Sequence, residues 1–204
     1  MNEKKSWIDY VIYVIWAFFG GTGIYELFQS FSKGLIYLLG LIAIIVVFYE
    51  IKTPKLTYLG ILVIVLGNLF GEIYFGFFYH IAIYDKILHL FSPIAACTFF
   101  YFMLKNKVKD KKMLILLSVA LLLSWELTWE IWEFTSDHLF GTMTQGVFIY
   151  VKNSTGGMQL KQVMDPLTDT IYDMLSNLIG ALVWAAGALF FTRNKNKKAA
   201  RIKN

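Results

Sequence analysis

Apolar residues dominate six stretches of this chain, at 8–28, 34–49, 56–79, 87–104, 113–134 and 171–191, with most polar residues gathered between them. A helix rises about 1.5 Å per residue, so ~17–25 such residues cross a hydrocarbon core ~30 Å thick. The alternation of a barrel strand is missing, and lipid offers open backbone groups no partner, so the expected element is the helix. The expected fold is therefore all-α, a polytopic membrane bundle of about six transmembrane helices. It reads as one transmembrane domain over 1–204, with an outer loop at 138–164 and a basic tail at 192–204. The first run is too long for a cleaved signal and is expected to stay in the membrane.

Polar positions inside the runs are few and periodic. In the fifth, Glu126, Glu130, Glu133 and Asp137 recur at i, i+4, i+7 and i+11, which sets four carboxylates on one helical stripe. Trp125, Trp129 and Trp132 occupy the adjoining stripe and read as packing residues, with Trp132 also an interfacial anchor. The fourth run opens with Asp85, Lys86 and His89 and then meets Pro93. Asp85 and His89 share a face, and Pro93 has no N–H to offer the carbonyl of residue 89. Before the sixth run, Asp165 and Pro166 read as N-cap and first helical residue. Asp169, Asp173 and Asn177 then follow at intervals of four, and Gly180, Ala181, Ala185 and Gly187 read as a close helix-packing surface.

Charge fixes the orientation. With the amino terminus inside, Lys33, Lys86, Lys152 and Lys161 are the only outer members among 19 basic residues, which by the positive-inside rule requires an even number of spans and both termini in the cytoplasm. A bacterial inner membrane is the expected location. The basic tail reads as an anchor on anionic lipid rather than a nucleic-acid patch, so the expected partners are membrane lipids. Composition agrees: 57% of residues are hydrophobic, more than a soluble core of 204 residues can hide. Cys97 is the single cysteine, which excludes an internal disulfide and points to packing.

The acids lie opposite the lysines. Ten of the 14 carboxylates, Glu26 and Glu72 among them, fall in the outer half or the outer loops. Each costs at least ~2.5–3.5 kcal/mol at a helix centre, so the reading calls for protons, a cation or water to compensate them. His89, Glu130, Glu133 and Asp173, one imidazole and three carboxylates, are the candidate ligands of a divalent metal ion. Asp85, Asp137 and Asp169 complete the candidate site, and the 138–164 loop is placed to cover it as a lid.

Asp85-Lys86 with His89, the acidic helix end at Glu130 and Glu133, and Asp173 with Asn177 and Gly180 resemble the motif of VanZ-like membrane proteins. The Trp-Glu-Ile-Trp-Glu-Phe stretch, Asp137 and the segment from Asp165 to Asp173 resemble the YjdF-like inner-membrane proteins more closely still. The resemblance covers about 84–182 and implies a shared polar site in a membrane fold. VanZ-like proteins commonly carry a Gln after the acidic position, where this chain has Glu133, so a glycopeptide-resistance role does not transfer.

Three functions fit these residues. A bound divalent metal could activate water and polarise a phosphoryl or acyl group on a lipid-linked or small-molecule envelope substrate. Intramembrane acids also suit a proton- or cation-coupled transporter, although the acids thin out toward the cytoplasm. A non-catalytic envelope assembly protein is the third reading.

Overall fold

The structure, a computed structural model, describes residues 6–51, 54–69, 71, 74–141, 143–154 and 156–203. It is mostly helical: α1 (Trp7–Gln29), α2 (Phe31–Glu50), α3 (Lys55–Leu69), α4 (Phe77–His80), α5 (Tyr84–Leu104), α6 (Lys111–Phe140) and α7 (Pro166–Lys203), with strands β1 (Val147–Lys152) and β2 (Met158–Met164) between α6 and α7. Among the described residues, four segments are long and apolar enough to cross a membrane: Trp7–Gln29, Tyr84–Leu104, Lys111–Leu139 and Pro166–Thr192. Tyr37–Glu50 and Lys55–Leu69 are shorter apolar helices. The chain divides into two compact units, Met1–Val63 and Ile64–Asn204.

The first unit is held by a tyrosine that three helices share. Tyr58 on α3 accepts a hydrogen bond from Trp16 Nε1 of α1 at 3.1 Å and donates its own to the Ile44 carbonyl of α2 at 2.8 Å. A buried tyrosine needs such partners for its hydroxyl, and here the need fixes which helices meet. Ile12, Tyr58 and Leu62 form the core around it. At the start of α1, Ser6 donates backbone and side-chain bonds to Asp9 Oδ2 at 2.6 and 2.9 Å, and Lys55 closes an ion pair with Asp9 at 2.6 Å. Asp9 is buried and paired, so its charge carries no functional implication.

The second unit is built on α5, α6 and α7. Gly180 lets α7 ride directly on α5: a Cβ there would collide with the Leu90 carbonyl oxygen and lie about 3.0 Å from Pro93 Cγ. Ala181 continues the seam and is buried with Cys97 and Leu122 in an apolar cluster, flanked by Phe100, Val119 and Trp184. Gly187, by contrast, has nothing within 4 Å, so the close packing expected over 180–187 ends earlier. Cys97 packs, as its composition suggested.

Three expectations need correction. The run at 56–79 is not one α-helix: α3 is described to Leu69, Gly76 takes a φ of +59°, and the separate helix α4 begins at Phe77. Gly71 packs under the rings of Tyr84 and Phe78, which leave no room for a side chain there. Hydropathy cannot tell such a tightly packed aromatic turn from a span. The 138–164 segment is not a plain loop, since α6 continues to Phe140 and β1 pairs antiparallel with β2. The tryptophans Trp125, Trp129 and Trp132 are 59%, 42% and 53% exposed, so they line the outside of the bundle rather than pack within it.

Candidate functional site

The polar stripes on α5, α6 and α7 face one another. Asp85, Lys86 and His89 come from the first two turns of α5, Asp169, Asp173 and Asn177 from the matching stretch of α7, and Glu126, Glu130 and Glu133 from α6. Helical spacing sets the acids of α6 and those of α7 on one stripe each, and Glu130, Asp169, Asp173 and Asn177 are buried.

At the centre is Lys86. Its ammonium lies 2.7 Å from both oxygens of Asp173, 3.0 Å from Asp85 Oδ2 and in direct hydrogen bond with Asp169 Oδ1. One cation therefore ties three carboxylates from two helices. This side chain supplies one positive charge toward the compensation that the sequence calls for, against three carboxylates. A buried charge left unpaired is far costlier than one held in such a set.

His89 stands one turn further in. Nε2 is 3.4 Å from Asp85 Oδ1 and 3.8 Å from Asp173 Oδ1, while Nδ1 is 3.8 Å from Glu126 Oε2. Asn177 Nδ2 bridges this imidazole to α6, at 2.9 Å from His89 Nδ1 and 2.9 Å from Glu126 Oε2. Below this bridge comes the apolar cluster of Cys97, Leu122 and Ala181, so the polar column ends there.

The rest of the α6 stripe is divided by depth. Glu130 is 4% exposed, and neither carboxylate oxygen has a hydrogen-bond partner among the described residues. Glu133 accepts from Trp129 Nε1 at 2.8 Å. Asp137 holds the following segment in place: Thr144 N and Oγ1 donate to Oδ1 at 2.8 and 2.7 Å, and Gln145 N donates to Oδ2 at 2.9 Å. Gln145 Nε2 then donates to Thr170 Oγ1 at 3.0 Å and Gly146 N to Asp169 Oδ2 at 2.8 Å. Residues 144–146 thus form a strap from α6 to α7 across the hairpin end of the site.

Of the candidate metal ligands, His89 and Asp173 meet, joined by Asp85 rather than by Glu130 and Glu133. One donor atom from each of Asp85, His89 and Asp173 lies within 4.8 Å of the others. Lys86, Glu126 and Asn177 are the members that sequence reasoning left outside its candidate set, although the i, i+4 spacing had already flagged Glu126 and Asn177. Glu26 is buried in α1, in the other unit, and Glu72 falls outside the described residues.

A family model described as a predicted membrane protein, DUF2238, matches residues 7–195, and the YjdF-like resemblance is to this same family. No curated protein and no solved structure matches the chain. Its apolar helices and its family together make it a multi-pass membrane protein.

Proposed function

This chain belongs to the DUF2238 family of predicted membrane proteins, and on that premise we propose that it is a bacterial inner-membrane enzyme whose polar site takes up a divalent cation and acts on a lipid or envelope-precursor substrate. The observation that carries this reading is the convergence of Asp85, His89 and Asp173 donor atoms within 4.8 Å. Two carboxylates and an imidazole suit a first-row divalent ion. Such an ion would supply a polarising charge and an activated water. Lys86 competes for the same oxygens, so the ion would displace its ammonium toward Asp169, already its partner. His89 would ligate through Nε2 with the proton on Nδ1, toward Glu126 Oε2 and the oxygen of a turned Asn177 amide, the familiar carboxylate–imidazole–metal order. Glu130 and Glu133 would then stand beside the reacting group as proton acceptors.

In this reading the six apolar helices α1, α2, α3, α5, α6 and α7 all insert, with both termini cytoplasmic and the hairpin outside. The lysine distribution supports that orientation, and counting only the four long helices leaves the parity unchanged. The motif shared with VanZ-like proteins fits a common polar site without a common substrate.

A cation- or proton-coupled transporter is the second reading, favoured by the acids on α6 at Glu126, Glu130, Glu133 and Asp137. The apolar cluster beneath Glu126 counts against a through-path in this unit.

The test is metal analysis of the purified chain in detergent, stripped with chelator and then titrated with Mn2+, Zn2+ or Mg2+ while thermal unfolding is followed. One ion per chain, with a rise in Tm that Asp173→Asn abolishes and Glu26→Gln retains, is the expected result. No bound ion and no shift in Tm would remove the metal from the reading.

A further inference from the structure

Ahead of α5 the chain runs Tyr74-Phe75-Gly76-Phe77-Phe78-Tyr79-His80-Ile81-Ala82-Ile83, a stretch with no acid, lysine or arginine. Its inner rings are used in packing. Phe77 and Phe78 lie against Tyr84, with centroids 5.2 and 5.1 Å away, and Tyr79 and His80 lie against Tyr150 of β1 at 5.9 and 5.7 Å. Tyr84 in turn donates to the Gly67 carbonyl at 2.7 Å. The segment is thus fixed to the helices and to the hairpin. Its other side is apolar and exposed: Tyr74, Ile81 and Ile83 face outward, and Phe75, although stacked on Phe77 at 5.0 Å, is 57% exposed. A contiguous apolar surface of this kind marks contact with a partner or with a membrane.

The partner follows from where that surface leads. Ile83 is the N-cap of α5, and Ile87, Phe91 and Ile94 come after it at helical spacing, all exposed. They form one stripe down a helix long and apolar enough to cross a membrane. The outward side of the segment therefore runs without a break into the lipid-facing side of a span. A second helix gives the depth. Lys86, three residues after Ile83, lies 2.7 Å from Asp173 on α7, and the neighbouring Tyr172 is exposed at that level. Aromatic side chains collect where hydrocarbon gives way to headgroups, and here they stand at one level on α5, on α7 and on the segment before α5.

From this continuity we infer that residues 74–83 lie in the lipid headgroup layer on the hairpin side of the membrane, with Phe75, Ile81 and Ile83 in contact with lipid. Asp85 and Lys86, which follow directly, then open at headgroup depth and not into bulk water. The partner is the phospholipid interface itself. The segment brings no lysine or arginine to it, so the contact has no need of anionic lipid; Lys152 and Lys161 of the hairpin are the groups that an anionic surface would draw. The inference is independent of metal binding, and either can fail without the other.

The experiment uses the full chain in phosphatidylcholine vesicles. Cys97 is buried, so a polarity-sensitive fluorophore can be attached through Phe75→Cys or Ile81→Cys, with Ser154→Cys in the exposed hairpin turn as the water reference. At 75 and 81 the expected result is strong quenching by lipids that carry a nitroxide on the headgroup or high on the acyl chain. Iodide should quench weakly there, and added phosphatidylglycerol should leave the lipid quenching unchanged. The label at 154 should respond to iodide alone. Photolabelling of the unaltered chain by a phospholipid with a diazirine beside its phosphate needs no variant to fold, and its adducts should map to 74–83. Iodide quenching at 75 and 81 as strong as at 154, lipid contact that appears only with phosphatidylglycerol, or adducts on α5 with none in 74–83 would each overturn the inference.

Discussion

Lys86 and Asp173 are 87 positions apart in the chain, yet the lysine ammonium lies 2.7 Å from both oxygens of the aspartate. This pair, extended by Asp85 and Asp169, makes α5 and α7 interdependent at the hairpin end, as Gly180 does half-way along. It also sets up a competition, because the oxygens that hold the lysine are those a divalent ion would need.

Replacing Lys86 should therefore have two opposite effects. Lys86→Met leaves three neighbouring carboxylates without their cation, and breaking a buried ion pair in this way costs about 3–5 kcal/mol. The same change removes the competitor at Asp85 and Asp173. Thermal unfolding in detergent should show a lower Tm without metal and a larger rise on adding Mn2+ or Zn2+ than the unaltered chain shows. A rise no larger than that of the unaltered chain would mean that these carboxylates serve the ion pair alone.

Gly180→Leu should prevent α7 from seating on α5. The Cβ alone would meet the Leu90 carbonyl, and backbone cannot yield as a side chain can. Overpacking of this kind costs ~1–3 kcal/mol or more. Gly187→Leu is the fair comparison, with open space around it and a helical backbone. Gly156 would not serve as a comparison, because at φ +83° any side chain is strained. Folded yield after detergent extraction should fall for Gly180→Leu and hold for Gly187→Leu; equal yields would show that the seam is looser than its geometry.

Acid should loosen the start of α7. Asp165, outside the span, accepts from Thr168 N at 3.0 Å and Thr168 Oγ1 at 2.6 Å, and these bonds hold its carboxyl below the usual value of 3.8. A depressed folded-state value means that the cap contributes fully above the unfolded pKa and is lost as pH falls through the folded one. Hydrogen exchange at the first turn of α7 should rise below about pH 4. Asp165→Asn should flatten that dependence; an unchanged pH profile would locate the effect in another group.

Reporter fusions offer the topological check. Fusions at 105–112 and after 192 should report the cytoplasm, and one in the 153–157 turn the opposite side, as the lysine distribution requires. A carboxyl-terminal fusion that reports outside would refute the even-span arrangement.

How much of this could be read in advance depends on the range of each interaction. Helical spacing grouped the acids of α6 and those of α7 on one stripe each, because neighbours on one helix are fixed by helix geometry alone. The Asp165–Pro166 start of α7 was legible for the same reason, its partner Thr168 being three residues on. Lys86 was not: adjacent to Asp85 it leaves the shared face, and only its long side chain brings it to Asp169 and Asp173 on another helix. The preference for Glu130 and Glu133 over Asp85 as companions of His89 failed likewise, since equal depth in the membrane does not make two side chains adjacent. The hairpin was missed because a six-residue strand such as Val147–Lys152 gives little signal beside six long apolar runs.

The cluster of Cys97, Leu122 and Ala181 makes the polar column a cul-de-sac. An occupant of the column would therefore enter and leave toward the end that the strap at 144–146 crosses, where Asp85 and Lys86 keep 26% and 15% of their side chains exposed. Weakening the bonds from Thr144, Gln145 and Gly146 would then change how fast an occupant exchanges far more than which occupant is chosen.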